Sequence, residues 1–103
     1  MKVKFLFIVF FISICLNIFS QNVGDYRTKY TDYTMQSWYD PDAWEVFNGT
    51  SWVDATNHPN DPNFNVTICN GSYYVIPFLS DFEYISINNL QIDTLGKLDI
   101  FDN

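Results

Sequence analysis

Positive charge is what this chain has least of. Only five of its 103 residues are Lys or Arg, against 12 Asp and Glu. Lys2 and Lys4 sit at the extreme N-terminus. From Gln21 onward, Arg27, Lys29 and Lys97 therefore stand against all 12 acids, a formal charge of 3 − 12 = −9. Such a surface repels phosphate backbones and anionic headgroups, and no basic stripe offsets it, so nucleic-acid and membrane-surface binding are disfavoured. Histidine occurs once, at His58, with no second His or nearby Cys to complete a zinc set. It reads as a solvent-exposed loop residue. Beyond residue 20 the only cysteine is Cys69, so a processed chain has no internal disulfide and must hold together by packing. Cys69 reads as a small hydrophobe at a strand end, since no neighbouring cation would favour its thiolate. No cofactor-binding motif occurs, and helical apolar periodicity is missing from the second half.

The chain does have one long apolar run, Phe5 to Ile18, interrupted only by Ser13 and Asn17. With Lys2 and Lys4 before it and the polar stretch QNVGDYRTK soon after, it reads as a secretory signal peptide over residues 1–20, cut after Ser20. A retained signal anchor is the alternative, though the run is short for a membrane span. Ile14 and Leu16 flank Cys15 where a lipid-attachment site would want a small residue before it. The expected location is secreted or cell surface, free of the membrane once cleaved.

Residues 21–62 read as an aromatic-rich N-terminal cap. All three tryptophans, Trp38, Trp44 and Trp52, fall within it. WEVFNGTSWV predicts a β-hairpin around Asn48-Gly49. A four-residue loop, Asn48 to Ser51, pairs Phe47 with Trp52 and Val46 with Val53, a better match than a two-residue turn gives. It also sets Glu45 opposite Asp54. Trp38, Tyr39, Trp44 and Trp52 are the candidate glycan-stacking residues, because indole and phenol faces pack on sugar C–H surfaces. The competing reading makes them the cap's own core. Asp40, Asp42 and Glu45 lack calcium-loop spacing and fit a turn around Pro41 better. Asp54 to Asn63 reads as a loop dense in Asn, Asp and Pro.

Residues 63–103 hold five i, i+2 apolar pairs: Val66/Ile68, Tyr73/Val75, Ile85/Ile87, Leu90/Ile92 and Leu98/Ile100. Leu90/Ile92 follow Val66/Ile68 at an offset of 24 (90 − 66), and Leu98/Ile100 follow Tyr73/Val75 at an offset of 25 (98 − 73). Near-equal offsets predict the first coils of a right-handed parallel β-solenoid, three sides to a coil. Corners are expected at Asn70-Gly71, Asn88-Asn89 and Leu95-Gly96, and at Phe78 to Phe82 after Pro77. An antiparallel meander is the competing all-β fold.

The quoted stretches carry a resemblance. GDYR (24–27), Trp38, AWEVFNGTSWV (43–53), NVTICNG (65–71) and NNLQIDTLGKLDI (88–100) resemble the N-terminal segment of many large secreted Bacteroidota proteins. These are adhesin-like or carbohydrate-active proteins exported by the type IX pathway, in which the segment leads into a parallel β-helix. The resemblance implies a non-catalytic capping and folding module with carbohydrate or cell-surface components as partners. It also implies a longer protein, since no C-terminal sorting domain follows Asp102-Asn103. The alternatives are a glycan-binding or adhesion module and the start of a β-helical polysaccharide-active enzyme. No catalytic residue, metal site or cofactor is expected; Asp81 and Glu83 read as a solvated pair. Asp93-Thr94-Leu95 resembles a Bacteroidota O-glycosylation motif, which marks Thr94. Asn48, Asn65 and Asn70 each open an N-glycan acceptor triplet.

Overall fold

The computed structural model describes residues 21–77 and 84–101. The signal-peptide reading, the Phe78–Phe82 corner and the Asp81/Glu83 pair fall outside them. The described chain is all-β: eight strands and one 3₁₀ turn (Pro41–Ala43). No helix among the described residues is long and apolar enough to cross a membrane. The strands are β1 (Tyr26–Thr28), β2 (Met35–Ser37), β3 (Trp44–Phe47), β4 (Trp52–Asp54), β5 (Asp61–Ile68), β6 (Tyr73–Pro77), β7 (Ile87–Ile92) and β8 (Lys97–Phe101). They form two sheets, ordered β4-β3-β1-β5-β7 and β2-β6-β8.

The β3–β4 hairpin has the register of the four-residue loop, with Phe47 opposite Trp52, Val46 opposite Val53 and Glu45 opposite Asp54. Asn48 organises the loop: its Oδ1 accepts the backbone N–H groups of Thr50 and Ser51, both at 2.9 Å. The facing acids are relieved by neighbouring cations. Arg27 Nε donates to Glu45 at 2.8 Å, and Lys29 Nζ lies 3.0 Å from Asp54.

The remaining pairings are parallel, except that β1 also runs antiparallel to β3. In the first sheet Tyr26, Val66 and Leu90 stand in register, and Ile68 stands beside Ile92. The offset of 24 expected for this ladder is the one found. In the second sheet the offset is the same, and Tyr74 pairs with Leu98 and Ile76 with Ile100. The expected pairing of Tyr73/Val75 with Leu98/Ile100 is thus off by one residue. The reason is the core. Tyr74 is the fully buried one, and its hydroxyl donates to the Ala43 carbonyl while accepting the Lys29 N–H at 3.1 Å. Tyr73 lies on the other face, with its hydroxyl 3.2 Å from Asp99 and Lys97 Nζ 4.7 Å from its ring centroid.

Two further expectations change. Asn88-Asn89 lies inside β7 and is not a corner, and Ile87 opens that same strand, so Ile85/Ile87 forms no separate third side. Both asparagine Nδ2 groups reach Asn65 Oδ1, at 3.0 and 3.2 Å, which ties this stretch to β5. The loop expected to run to Asn63 ends earlier, because β5 already pairs at Asp61 with Ile87. Between Asp61 and Asn65, β5 spends four residue steps where β7 spends two. That bulge accommodates Pro62, which has no N–H to give a ladder.

The corners between the sheets stack as well. Tyr33 N–H donates to Gly71 C=O (2.8 Å), and Gly71 N–H donates to Leu95 C=O (3.1 Å). Leu95 N–H in turn donates to Asn70 Oδ1 (2.9 Å). Gly71 has φ 85, and a Cβ there would run into the Thr31 carbonyl, so only glycine fits this corner.

The core lies between the inner faces of the two sheets. Trp38, Trp44, Tyr74, Val66 and Ile68 are all at most 1% exposed. Trp44 is central, with ring centroids of Trp38 at 4.9 Å and Tyr74 at 4.8 Å, both tilted edge-on. Such aromatic pairs add about 0.5–1.5 kcal/mol each beyond the area they bury. Both indole N–H groups are bonded, Trp44 to the Trp38 carbonyl (2.9 Å) and Trp38 to the Pro59 carbonyl (3.0 Å). Strands β1 and β2 of the first half belong to the same two sheets as β5 to β8. The division at residues 62/63 therefore runs through both sheets.

Candidate functional site

Residues 24–27 show how the site end of the molecule is assembled. Gly24 has φ 95, and a Cβ on it would occupy the space of the Phe64 ring. Asp25 is 5% exposed, yet its carboxylate is satisfied by backbone donors: Asn22 N–H to Oδ2 (2.9 Å) and Asn65 N–H to Oδ1 (3.1 Å). A buried carboxylate with two such bonds fixes the start of β1 against β5. Tyr26 packs edge-on to Trp44 at 6.4 Å. Arg27, on the opposite face of the strand, lies over the Trp52 ring (4.5 Å) while bonded to Glu45.

Next to this turn is a cleft of about 410 Å³ lined by Tyr26, Asn57, His58, Asn60, Asp61 and Phe64. Its walls come from β1, from the loop between β4 and β5, and from the bulged start of β5. The loop is tied down at several points. Pro59 accepts from buried Trp38, Asn60 Oδ1 accepts the Ser86 N–H (2.8 Å), and His58 stands edge-on to Tyr39 at 5.3 Å. His58 is thus half-buried, not the solvent-exposed loop residue expected. Burial raises the Tyr26 phenol above its ordinary pKa, and the negative charge of Asp61 adds to the effect. The phenol therefore stays protonated beside a carboxylate.

The residues marked from the sequence lie elsewhere or turn inward. Trp38 and Trp44 are 1% and 0% exposed and present no ring face to solvent. Trp52 is half-buried under Arg27 and beside Phe47 (5.4 Å), and Tyr39 is half-buried against His58. The four therefore do not form one platform, because the fold uses the largest rings as core. Asp40 caps the 3₁₀ turn by accepting the Asp42 N–H (3.0 Å), the turn around Pro41 read from the sequence. Thr94 is exposed in the tight turn between β7 and β8. Asn48, Asn65 and Asn70 each use the side-chain oxygen within the fold. Cys69 is buried directly after β5, the strand-end position read from the sequence.

Sequence reasoning missed the cleft. Its only visible signal was the Asn/Asp density of DATNHPNDPN, which reads equally well as a plain loop. Tyr26 and Phe64 come from segments whose pairing no local pattern announces. Compared with known protein families, curated proteins and solved structures, the chain matches none.

Proposed function

We propose that the chain is a non-catalytic capping and folding module at the N-terminal end of a right-handed parallel β-solenoid, in an exported or cell-surface protein of the Bacteroidota type. The observation that carries this reading is the pair of parallel ladders. Both repeat at the same offset, Val66 to Leu90 in one and Tyr74 to Leu98 in the other. Their corners are linked by backbone hydrogen bonds from Tyr33 to Gly71 to Leu95. A crossover between parallel strands is right-handed in nearly every case. One side of the larger sheet is closed by the β3–β4 hairpin, as a terminal cap must close it. The opposite side ends on β7, where Leu90 and Ile92 of the ladder are 43% and 46% exposed, and Ile100 of β8 is 70% exposed. A further coil stacked there would cover these side chains and pair the outer backbone groups of β7 and β8. Export rests on the Lys2–Ile18 pattern, and Thr94 is proposed as the O-glycosylated residue.

The experiment is hydrogen exchange on residues 21–103, alone and with one further coil of the same period fused after Asn103. Alone, amides of β5 and β6 should be protected and those of β7 and β8 weakly so. The fused coil should raise protection in β7 and β8. Strong protection of all four strands in a monomeric 21–103 domain, unchanged by the fusion, would sink the proposal.

A further inference from the structure

The cleft beside β1 has a chemistry that capping does not call for. Its polar groups are mixed in kind: one carboxylate (Asp61), one phenol (Tyr26), one imidazole (His58) and two primary amides (Asn57, Asn60). Several are not used by the fold. Asp61 Oδ1 accepts the Asn63 N–H at 2.9 Å, and its second oxygen has no protein partner among the described residues. Neither the Tyr26 hydroxyl nor the Asn57 amide has a hydrogen-bond partner there either. The Phe64 ring supplies an apolar wall, and Gly24 is what leaves room for it.

The lining restricts the ligand. Among the described residues no Lys or Arg lines the cleft and its one acidic side chain is Asp61, so the lining offers no cation to phosphorylated, sulfated or carboxylated ligands. A single carboxylate supplies too few hard oxygens for a calcium site, and no three metal-ligating side chains cluster among the described residues. Hydroxyl groups suit the lining because each can donate to the Asp61 carboxylate, accept from Tyr26 or exchange both with Asn57. A ring whose other face carries C–H bonds then meets Phe64. The volume lies in the range of about 300–1,000 Å³ usual for small-molecule sites. We infer that this cleft binds one residue of a neutral saccharide, with Asp61, Tyr26 and Asn57 taking the hydroxyls and Phe64 the ring face.

The site does not depend on the solenoid reading, since β1, the β4–β5 loop and β5 carry it whether or not a coil follows β8. The anchoring of the loop through Trp38, Ser86 and Tyr39 makes it a prepared site, which lowers the ordering cost of binding.

The test is a ¹H–¹⁵N NMR titration of the protein with glucose, galactose, mannose and N-acetylglucosamine, each separately, and with ethanolamine as an organic cation. At least one sugar should give saturable shifts confined to residues 24–26 and 57–64. Asn57→Ala changes an exposed side chain with no partner among the described residues, and Asp61→Asn keeps the shape of the carboxylate. Each should weaken that binding about tenfold, roughly 1.4 kcal/mol. Val53→Ala, on the hairpin, should leave it unchanged. Shifts with ethanolamine but with no sugar would overturn the inference in favour of a cation site. Absence of saturable shifts with all five probes, or sugar shifts that Asn57→Ala and Asp61→Asn leave intact, would overturn it outright.

Discussion

Val66 and Leu90 are neighbours in one parallel ladder, and Ile68 and Ile92 are neighbours two positions further on. The first member of each pair is at most 1% exposed; the second is 43% and 46% exposed. All four are aliphatic, and in-register neighbours on parallel strands point to the same face. What separates them is position. Val66 has Tyr26 on one side and Leu90 on the other, whereas among the described residues Leu90 has a ladder partner on one side only. Burial in this architecture is conferred by the strand on either side, so the stability of a rung depends on whether it is the last.

The contrast can be broken by mutation, and the largest effect belongs at the covered end. Trp44→Ala removes the ring between Trp38 and Tyr74 and should cost about 3–5 kcal/mol in urea unfolding. Leu90→Ala should cost less than about 1.5 kcal/mol, because much of its surface is already wet. Equal losses for the two variants would mean that the outer rung is covered in solution.

Tyr74→Phe comes next. It removes a hydroxyl bonded to the Ala43 carbonyl and the Lys29 N–H, for an expected loss of about 1–3 kcal/mol. Burial pushes the Tyr74 phenol up to about 12 from 10.0. In the unfolded chain the phenol ionises first, so this contribution is intact below pH 10 and is lost as the pH climbs toward about 12. The loss amounts to roughly 2–3 kcal/mol at about 1.4 kcal/mol per pH unit. Denaturation curves at about pH 9 and about pH 12 should converge in Tyr74→Phe relative to the parent. A parent protein whose stability does not change over that interval would contradict the burial of this hydroxyl.

Gly71→Ala tests the stacked corners. Its positive φ and the Thr31 carbonyl in the way predict a loss of about 1–3 kcal/mol, felt in both sheets because the corner joins them. A change below the error of thermal denaturation would show that the corner relaxes freely. The smallest effect is expected on the outer face of the hairpin. Arg27→Ala frees Glu45 and uncovers Trp52, and should lower stability by about 0.2–1 kcal/mol, less at high salt. A salt-independent loss would assign the effect to packing on Trp52 and not to the ion pair.

Much of this was legible locally. The hairpin followed from Asn48-Gly49 and from the better match of Phe47 with Trp52, because cross-strand partners close together in the chain depend on turn chemistry. The Val66–Leu90 ladder followed from the even spacing of like residues. The inward tyrosine did not. Tyr73 and Tyr74 are chemically identical neighbours, and only the placement of the Ala43 carbonyl and the Lys29 N–H selects Tyr74. The first rung was hidden too, since the whole β3–β4 hairpin lies in the chain between Tyr26 and Val66 and between Met35 and Tyr73.

The amino-acid sequence by itself determined the all-β class, the acidic surface, the hairpin register and the period of the Val66–Leu90 ladder. These depend on residue type and short-range spacing, which alternation and turn chemistry express directly. Only the tertiary structure decided that β1 and β2 join the later strands in the same sheets, that Trp38 and Trp44 face inward while Trp52 lies under Arg27, and that Tyr26, Asn57, Asp61 and Phe64 meet in a cleft. Those outcomes depend on which distant backbone groups come together, and parallel pairing across an intervening hairpin leaves no local trace.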